Sequence, residues 1–225
     1  MELKLIRKGK VKDVYELDED RLLFFFTDRI SAFDVILPSL VPSKGHILLK
    51  FSEFWFKYLD FPNHMLEVKE PNSMIVKKLQ MFPLEFIVRG YIYGSFYERL
   101  LKGELKLNLK PVLARKLEEP FFETTTKYEA KDVPISREEA IKRGWISEEE
   151  YEFLKEVSIR LYKKMYERAI KAGFILADIK FEFGKDKKGN ILLADSIGPD
   201  EFRLWPLDKY EEGKIQESFD KQPVR

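Results

Sequence analysis

Lysines surround a glycine near the start of the chain, in Lys8-Gly9-Lys10-Val11-Lys12. A glycine bend lets backbone N–H groups come close to a phosphate, and the lysines add positive charge. A second cluster stands far downstream: Asp178-Ile179-Lys180-Phe181-Glu182, followed by Asp195. Carboxylates beside a lysine can hold a magnesium–nucleotide complex, because hard cations take oxygen ligands and a triphosphate takes cations. Each signal has a plainer counterpart. The first fits an ordinary hairpin with surface lysines, since it is neither a Walker A loop nor a G-x-G-x-x-G. The second fits a half-buried hairpin with a solvated charged face.

The residue inventory narrows the chemistry. There is no cysteine among 225 residues, which removes disulfides, thiolate nucleophiles and thiolate-held zinc. His46 and His64 are the only histidines and stand in no H-E-x-x-H frame, so a histidine-rich metal site is excluded. Catalysis is left to carboxylates, lysines, arginines and hydroxyls. Lys plus Arg is 40 against 39 for Asp plus Glu, with the signs interspersed, which argues against a nucleic-acid partner. No apolar run approaches a membrane span, and Met1 to Lys8 contains no apolar signal region. The expected compartment is a reducing cytoplasm.

The elements that must position these residues follow from periodicity. Leu3–Ile6, Val14–Leu17 and Arg21–Phe26 read as an antiparallel meander bent at Gly9. Thr27 to Asp34 reads as a loop after a buried strand, carrying Asp28, Arg29, Ser31 and Asp34; loops beyond strand ends commonly bind ligands, although an Asx or Ser turn accounts for the same residues. Pro42 to Gly45 opens a helix whose stripe is Ile47, Leu48, Phe51, Phe54, Trp55 and Tyr58, expected as core. Ser73–Gln80 and Leu84–Tyr93 read as strands joined by Met81-Phe82-Pro83. That connector divides the chain into an N-terminal lobe, 1–82, and a larger lobe, 83–225. Gly94-Ser95 starts a short helix. Residues 111–134 lack periodicity and read as a polar surface loop or lid. Ser136-x-x-Glu139 and Ser147-x-x-Glu150 are capping boxes. The second opens a long helix burying Leu154, Val157, Ser158, Leu161, Met165 and Ala169, closed by Gly173. After it comes a hairpin: Ile179, Phe181 and Phe183 face one way and Asp178, Lys180 and Glu182 the other, with a turn at 184–190 and a return strand from Ile191 to Ala194. A register of Glu182 opposite Asp195 would bring both carboxylates to one face.

Taken in order, Gly9-Lys10-Val11-Lys12, Ser31-Ala32-Phe33-Asp34, Lys44-Gly45, Val88-Arg89-Gly90 with Gly94-Ser95, Asp178-x-Lys180-x-Glu182-Phe-Gly, Pro199-Asp200 and Arg203-x-Trp205 resemble the SAICAR synthetases. The ordered set spans nearly the whole chain. The resemblance implies an α+β fold of two lobes: an N-terminal antiparallel sheet lobe with a glycine loop over ATP, similar to kinases and ATP-grasp enzymes, and a larger α+β lobe. It implies ATP-driven condensation of carboxyaminoimidazole ribonucleotide (CAIR) with L-aspartate, giving SAICAR, ADP and phosphate, with magnesium required and an acyl phosphate as intermediate. It leaves room for a homo-oligomer.

Carried over position by position, the resemblance places Gly9, Lys10 and Lys12 at the ATP phosphates and Lys77, Leu79 and Met81 beside the adenine. Glu182 and Asp195 would hold magnesium, and Lys180 would steady the reacting phosphate and carboxylate. Ser31, Asp34, Arg89, Ser95 and Arg203 would bind CAIR, and Lys127 and Asp132 would help close the aspartate site. Two residues depart from the family pattern. Ser196 stands where a glutamate usually follows the aspartate, and Lys131 precedes Asp132 where histidine is frequent. Two other readings remain. One is a small-molecule kinase on the same fold; the other is an idle nucleotide-binding protein, to which only Ser196 lends support.

Overall fold

In the run Arg21–Phe26, Phe24 and Phe26 are buried while Phe25 between them is exposed, the period-two pattern of a half-buried strand. The computed structural model describes residues 3–32, 35–105, 107–127 and 133–220. In chain order the elements are β1 (Lys4–Lys8), β2 (Lys12–Glu16), β3 (Arg21–Phe26), β4 (Arg29–Ala32), β5 (Val35–Leu40), α1 (Lys44–Tyr58), β6 (Met65–Lys69), β7 (Ser73–Lys77), β8 (Gln80–Met81), β9 (Leu84–Tyr91), α2 (Gly94–Leu101), β10 (Lys116–Thr126), β11 (Pro134–Ile135), α3 (Arg137–Lys142), α4 (Glu148–Lys171), β12 (Phe174–Phe181), β13 (Phe183–Lys185), β14 (Ile191–Leu193) and β15 (Phe202–Pro206).

These elements form two compact units. The first takes the chain up to Phe82 together with the returning segment Phe181–Gly198; the second takes Pro83–Lys180 and the stretch from Pro199. A contiguous division at 82/83 therefore fails at residues 181–198. The physical reason is strand pairing: β13 pairs with β8, Gly184 opposite Met81, which draws the β13–β14 hairpin into the first unit. The expected single hairpin is likewise two separate pieces. β12 lies in one sheet and β13 in another, with Glu182 between them.

The first unit holds an antiparallel sheet in the order β1-β2-β3-β7-β6. Helix α1 covers it with Leu48, Leu49, Ser52, Trp55 and Phe56, all buried. The expected stripe is shifted: Ile47 and Phe54 are exposed, while Leu49 and Phe56 point inward. The segment expected as a loop at 27–34 instead contains β4, paired with β5. Asp28 lies just before β4 and caps α1. Its carboxylate accepts hydrogen bonds from the backbone N–H of Gly45 at 2.9 Å and of Ser43 at 3.3 Å, groups a helix start leaves without partners.

The second unit is built on the sheet β11-β10-β9-β12-β15. Its central strand β9 is buried at every position except Ile87, as a strand covered on both faces should be. Helix α4 packs against β9 and β10. Ser147 and Glu150 form the reciprocal capping box at its start, and the expected buried stripe is fully buried. Each fully buried leucine of that stripe contributes about 1.5–3 kcal/mol. The expected loop at 111–134 is a correction: residues 116–126 are β10, an interior strand of the sheet. Its polar sequence misled because Glu123, Thr124, Thr125 and Thr126 are buried and bonded rather than solvated.

Candidate active site

In the first unit the glycine bend is tight and pinned. The Gly9 N–H donates to the Lys12 carbonyl at 2.9 Å. A Cβ at position 9 would meet that oxygen at 2.4 Å, so only glycine permits the approach. Arg29 on β4 holds the bend from outside: Nη2 donates to the Gly9 carbonyl at 2.9 Å, and the guanidinium grips the Asp13 carboxylate at 2.5 and 3.1 Å. Thr27 adds hydrogen bonds from its backbone N–H and hydroxyl to the Val11 carbonyl. Lys10 is exposed on the bend. Lys12 points inward, 4.4 Å from the centre of the Phe24 ring, and its ammonium donates to Asp195 at 2.7 Å and to the Ser196 hydroxyl at 3.1 Å. Ser196 thus accepts a lysine hydrogen bond as a neutral group.

The expected pairing of Glu182 with Asp195 is off by one. Phe183 stands opposite Leu193, and the Ala194 N–H donates to the Glu182 carbonyl at 2.9 Å. Strict alternation would then turn Asp195 to the far face. It does not apply, because Asp195 lies beyond β14 with φ 57, in the left-handed region. Its carbonyl accepts from His64 Nε2 at 3.0 Å, and the His64 ring is buried edge-on against Phe24 and Phe56. Glu182 is buried and Asp195 is partly exposed. Asp195 presents carboxylate oxygens beside an ammonium, and oxygen donors of this kind suit magnesium, which keeps waters and takes phosphate oxygens as further ligands. No closed cage of three or more carboxylate or histidine groups forms among the described residues.

Leu79 and Met81 meet at Gly184. A Cβ there would lie 2.8 Å from Leu79 Cβ and 2.9 Å from Met81 Sδ, so glycine lets this apolar pair close over the β8–β13 pairing. Lys77 is half-buried at the end of β7, its N–H bonded to the His64 carbonyl at 2.7 Å. Ser31 on β4 is buried.

In the second unit, one face of the sheet carries two transverse polar rows. In the first row, Arg99 on α2 and Arg89 on β9 both bond Glu123 on β10, each at 2.7 Å. Arg89 also lies 3.5 Å from Asp178 on β12, which bonds Arg203 on β15. Asp178 is directly opposite Arg203 in register. In the second row, Thr125 donates to Glu85 at 3.0 Å and Lys180 donates to the other oxygen of Glu85 at 2.5 Å. Arg89 is therefore not isolated, as its place in the sequence suggests, but sits between two carboxylates. Its exposure is 5%, and charges so buried persist only when paired. Asp178 beside it holds the Arg203 guanidinium above its ordinary proton affinity. Arg203 Nε is buried with no hydrogen-bond partner among the described residues.

Gly94 opens α2 with φ 56, and a Cβ there would lie 2.6 Å from Arg203 Nη2. Ser95 is exposed on the first turn of that helix, whose free N–H groups favour an anion. Lys127 follows β10, its N–H donating to the Pro83 carbonyl at 3.3 Å. Asp34 and Asp132 lie outside the described residues. Residue spacing pointed to Lys180 and the resemblance to Arg89 and Arg203, but neither pointed to Glu85, Glu123, Arg99 or the bracing of the glycine bend by Arg29. The available signal was parity: Glu85 and Arg89 share a strand face, as do Glu123 and Thr125.

The chain resembles known proteins throughout its length. The family model for SAICAR synthetase matches residues 5–225. A phosphoribosylaminoimidazole-succinocarboxamide synthase of Nitrosopumilus maritimus is 49% identical over 225 residues, covering 99% of this chain and 81% of that protein. A SAICAR synthase of Saccharomyces cerevisiae, solved with SAICAR bound, superposes with a TM-score of 0.90 at 37% identity, covering 99% of this chain and 82% of that one. A SAICAR synthetase solved with ADP gives 0.84 at 33% identity, with coverage of 99% and 89%. Match and fold agree, and this chain belongs to the SAICAR synthetase family.

Proposed function

We infer that this chain is an ATP-dependent carboxylate–amine ligase of purine biosynthesis, condensing CAIR with L-aspartate to give SAICAR, ADP and phosphate. The observation that carries the reading is the buried row Arg99, Glu123, Arg89, Asp178, Arg203. Within the row three guanidinium groups face two carboxylates, its two end arginines are half-buried, and the Arg203 Nε has no hydrogen-bond partner among the described residues. A ribonucleotide bearing a phosphate and a carboxylate supplies the missing negative charge, and guanidinium forks match both groups.

In this reading Arg89, Arg203, Ser95, Ser31 and Asp34 bind CAIR, while Lys127 and Asp132 serve the aspartate. Gly9, Lys10 and Lys12 take the ATP phosphates, and Lys77, Leu79 and Met81 flank the adenine. Glu182 and Asp195 hold magnesium, which when bound neutralises phosphate charge. Lys12 exchanges its Asp195 partner for phosphate oxygen without leaving the site's charge unbalanced.

A CAIR carboxylate oxygen attacks the γ-phosphorus, and the bond to the β–γ bridging oxygen breaks, releasing ADP. The aspartate amine attacks the carbonyl of the acyl phosphate; phosphate leaves and the nitrogen loses a proton. Lys180 donates to the reacting oxygens. Such chemistry is mainly positioning and charge neutralisation, which suits a chain without cysteine. The cytoplasm suits both that composition and these substrates. No helix among the described residues is long and apolar enough to cross a membrane.

The test is a coupled assay with ATP, magnesium, CAIR and aspartate, each omitted in turn. SAICAR and ADP should form only when all are present. Phosphorylated acceptor accumulating without aspartate would point to a kinase instead.

A further inference from the structure

We propose that Glu85, locked by Thr125, is a positioning residue for Lys180. The inference rests on Lys180 acting at the reacting oxygens, as above. Glu85 is the second residue of β9 and is buried at 5% exposure. Thr125 stands directly across from it in the β9–β10 register. Both carboxylate oxygens are engaged: Oε2 accepts from the Thr125 hydroxyl at 3.0 Å and Oε1 accepts from the Lys180 ammonium at 2.5 Å. Thr125, Glu85 and Lys180 therefore form a line across the three central strands β10, β9 and β12.

The asymmetry of burial gives this line its direction. Glu85 and Thr125 are inside, whereas the Lys180 side chain is 30% exposed. A lysine stem has four rotatable bonds and a strongly hydrated head, so a half-exposed lysine ordinarily wanders. Here a buried carboxylate that cannot rotate fixes one of its N–H directions. Arg89, four residues on along the same strand face, is handled in the same way by Glu123. The sheet thus presents its cations on fixed carboxylate mounts.

The experiment compares Glu85→Gln, Thr125→Val and Lys180→Met in the full chain. Turnover and KM are measured for each substrate. Acetic anhydride labelling at fixed pH is followed by peptide mass mapping, with exposed Lys102 as internal reference. Glu85→Gln is nearly isosteric. It should lower kcat by about tenfold or more while leaving the KM for ATP within about twofold, and it should raise Lys180 acetylation relative to Lys102 by about fivefold, because the amine is no longer held against the buried carboxylate and reaches the reagent more freely. Thr125→Val should shift both readouts the same way by less. A merely structural Glu85 would lower thermal stability without changing the labelling ratio, and that result overturns the proposal. Should Glu85→Gln fail to fold, an unchanged labelling ratio in Thr125→Val overturns it equally. If Lys180→Met retains turnover, the catalytic assignment of Lys180 falls, whereas the labelling ratio still decides whether Glu85 holds it.

Discussion

Asp178 stands directly opposite Arg203 in the pairing of β12 with β15, bonds that guanidinium, and lies 3.5 Å from the guanidinium of Arg89. One buried carboxylate thus aims two cationic forks. Substitutions in this row separate binding from stability only when they keep the charge. Arg89→Ala would leave Glu123 with Arg99 alone and Asp178 with Arg203 alone, so two buried carboxylates each lose one of two cations and stability falls along with binding.

Arg203→Lys is the sharper probe. It keeps the positive charge but loses the planar fork. Losing one charge-assisted hydrogen bond costs about 1.5–3 kcal/mol, so the affinity for CAIR should fall by about tenfold to a hundredfold. Affinity for a nonhydrolysable ATP analogue should hold. Separate calorimetric titrations decide the matter, and equal losses for both ligands would remove Arg203 from the CAIR site.

Gly94→Ala tests the contact behind that fork. The glycine has φ 56, and an added Cβ would press on Arg203 Nη2 at 2.6 Å. The expected result is a stability loss of about 1 kcal/mol from the left-handed backbone, together with weaker CAIR binding because Arg203 is pushed aside. Denaturant unfolding and CAIR titration measure the two effects. Native CAIR affinity in a folded variant would show that Arg203 has room to move without consequence.

Much of this architecture was legible before any coordinates. The meander, the long helix with its capping box and its buried stripe all follow from period and caps, because burial there is mainly apolar. β10 was not legible. Glu123 and the threonines 124–126 read as solvated loop because hydrophobicity carries no mark of a polar group that is buried yet bonded. The pairing of Arg89 with Glu123, 34 positions apart, needed the sheet order before it could be seen. Strand parity does not extend to Asp195, which lies past the end of β14 with a left-handed φ that aspartate tolerates better than most residues. The ordered motifs singled out Lys12, Lys180 and Arg203, which the structure shows paired with Asp195, Glu85 and Asp178.

Glu182→Gln and Asp195→Asn probe the carboxylates of the first unit. Each should reduce turnover by about two orders of magnitude or more with the fold retained, because phosphate charge would be left uncompensated. Raising magnesium should restore part of the loss. Asp195→Asn should also free Lys12 from its ion pair, raising affinity for magnesium-free ADP. Near-native turnover of both variants at low magnesium would make this pair structural.

Ser147→Ala addresses the frame alone. Ser147 accepts from the Glu150 N–H at 3.2 Å, and the Glu150 carboxylate accepts from the Ser147 N–H at 3.0 Å. Removing the hydroxyl should cost about 1 kcal/mol and lower Tm by about 2–4 °C. Turnover at 25 °C should be unchanged. A kinetic defect without a Tm change would mean that α4 does more than support the sheet.

The central claim is that ATP activates the CAIR carboxylate for attack by an amine. The most direct measurement uses CAIR labelled with ¹⁸O in both carboxylate oxygens, with ATP, magnesium and L-aspartate, followed by mass analysis of the phosphate released. The account predicts that each SAICAR formed is matched by one phosphate carrying a single ¹⁸O, the other label remaining in the amide. Unlabelled phosphate alongside SAICAR would contradict carboxylate activation, and labelled phosphoryl product persisting in the presence of aspartate would contradict ligation.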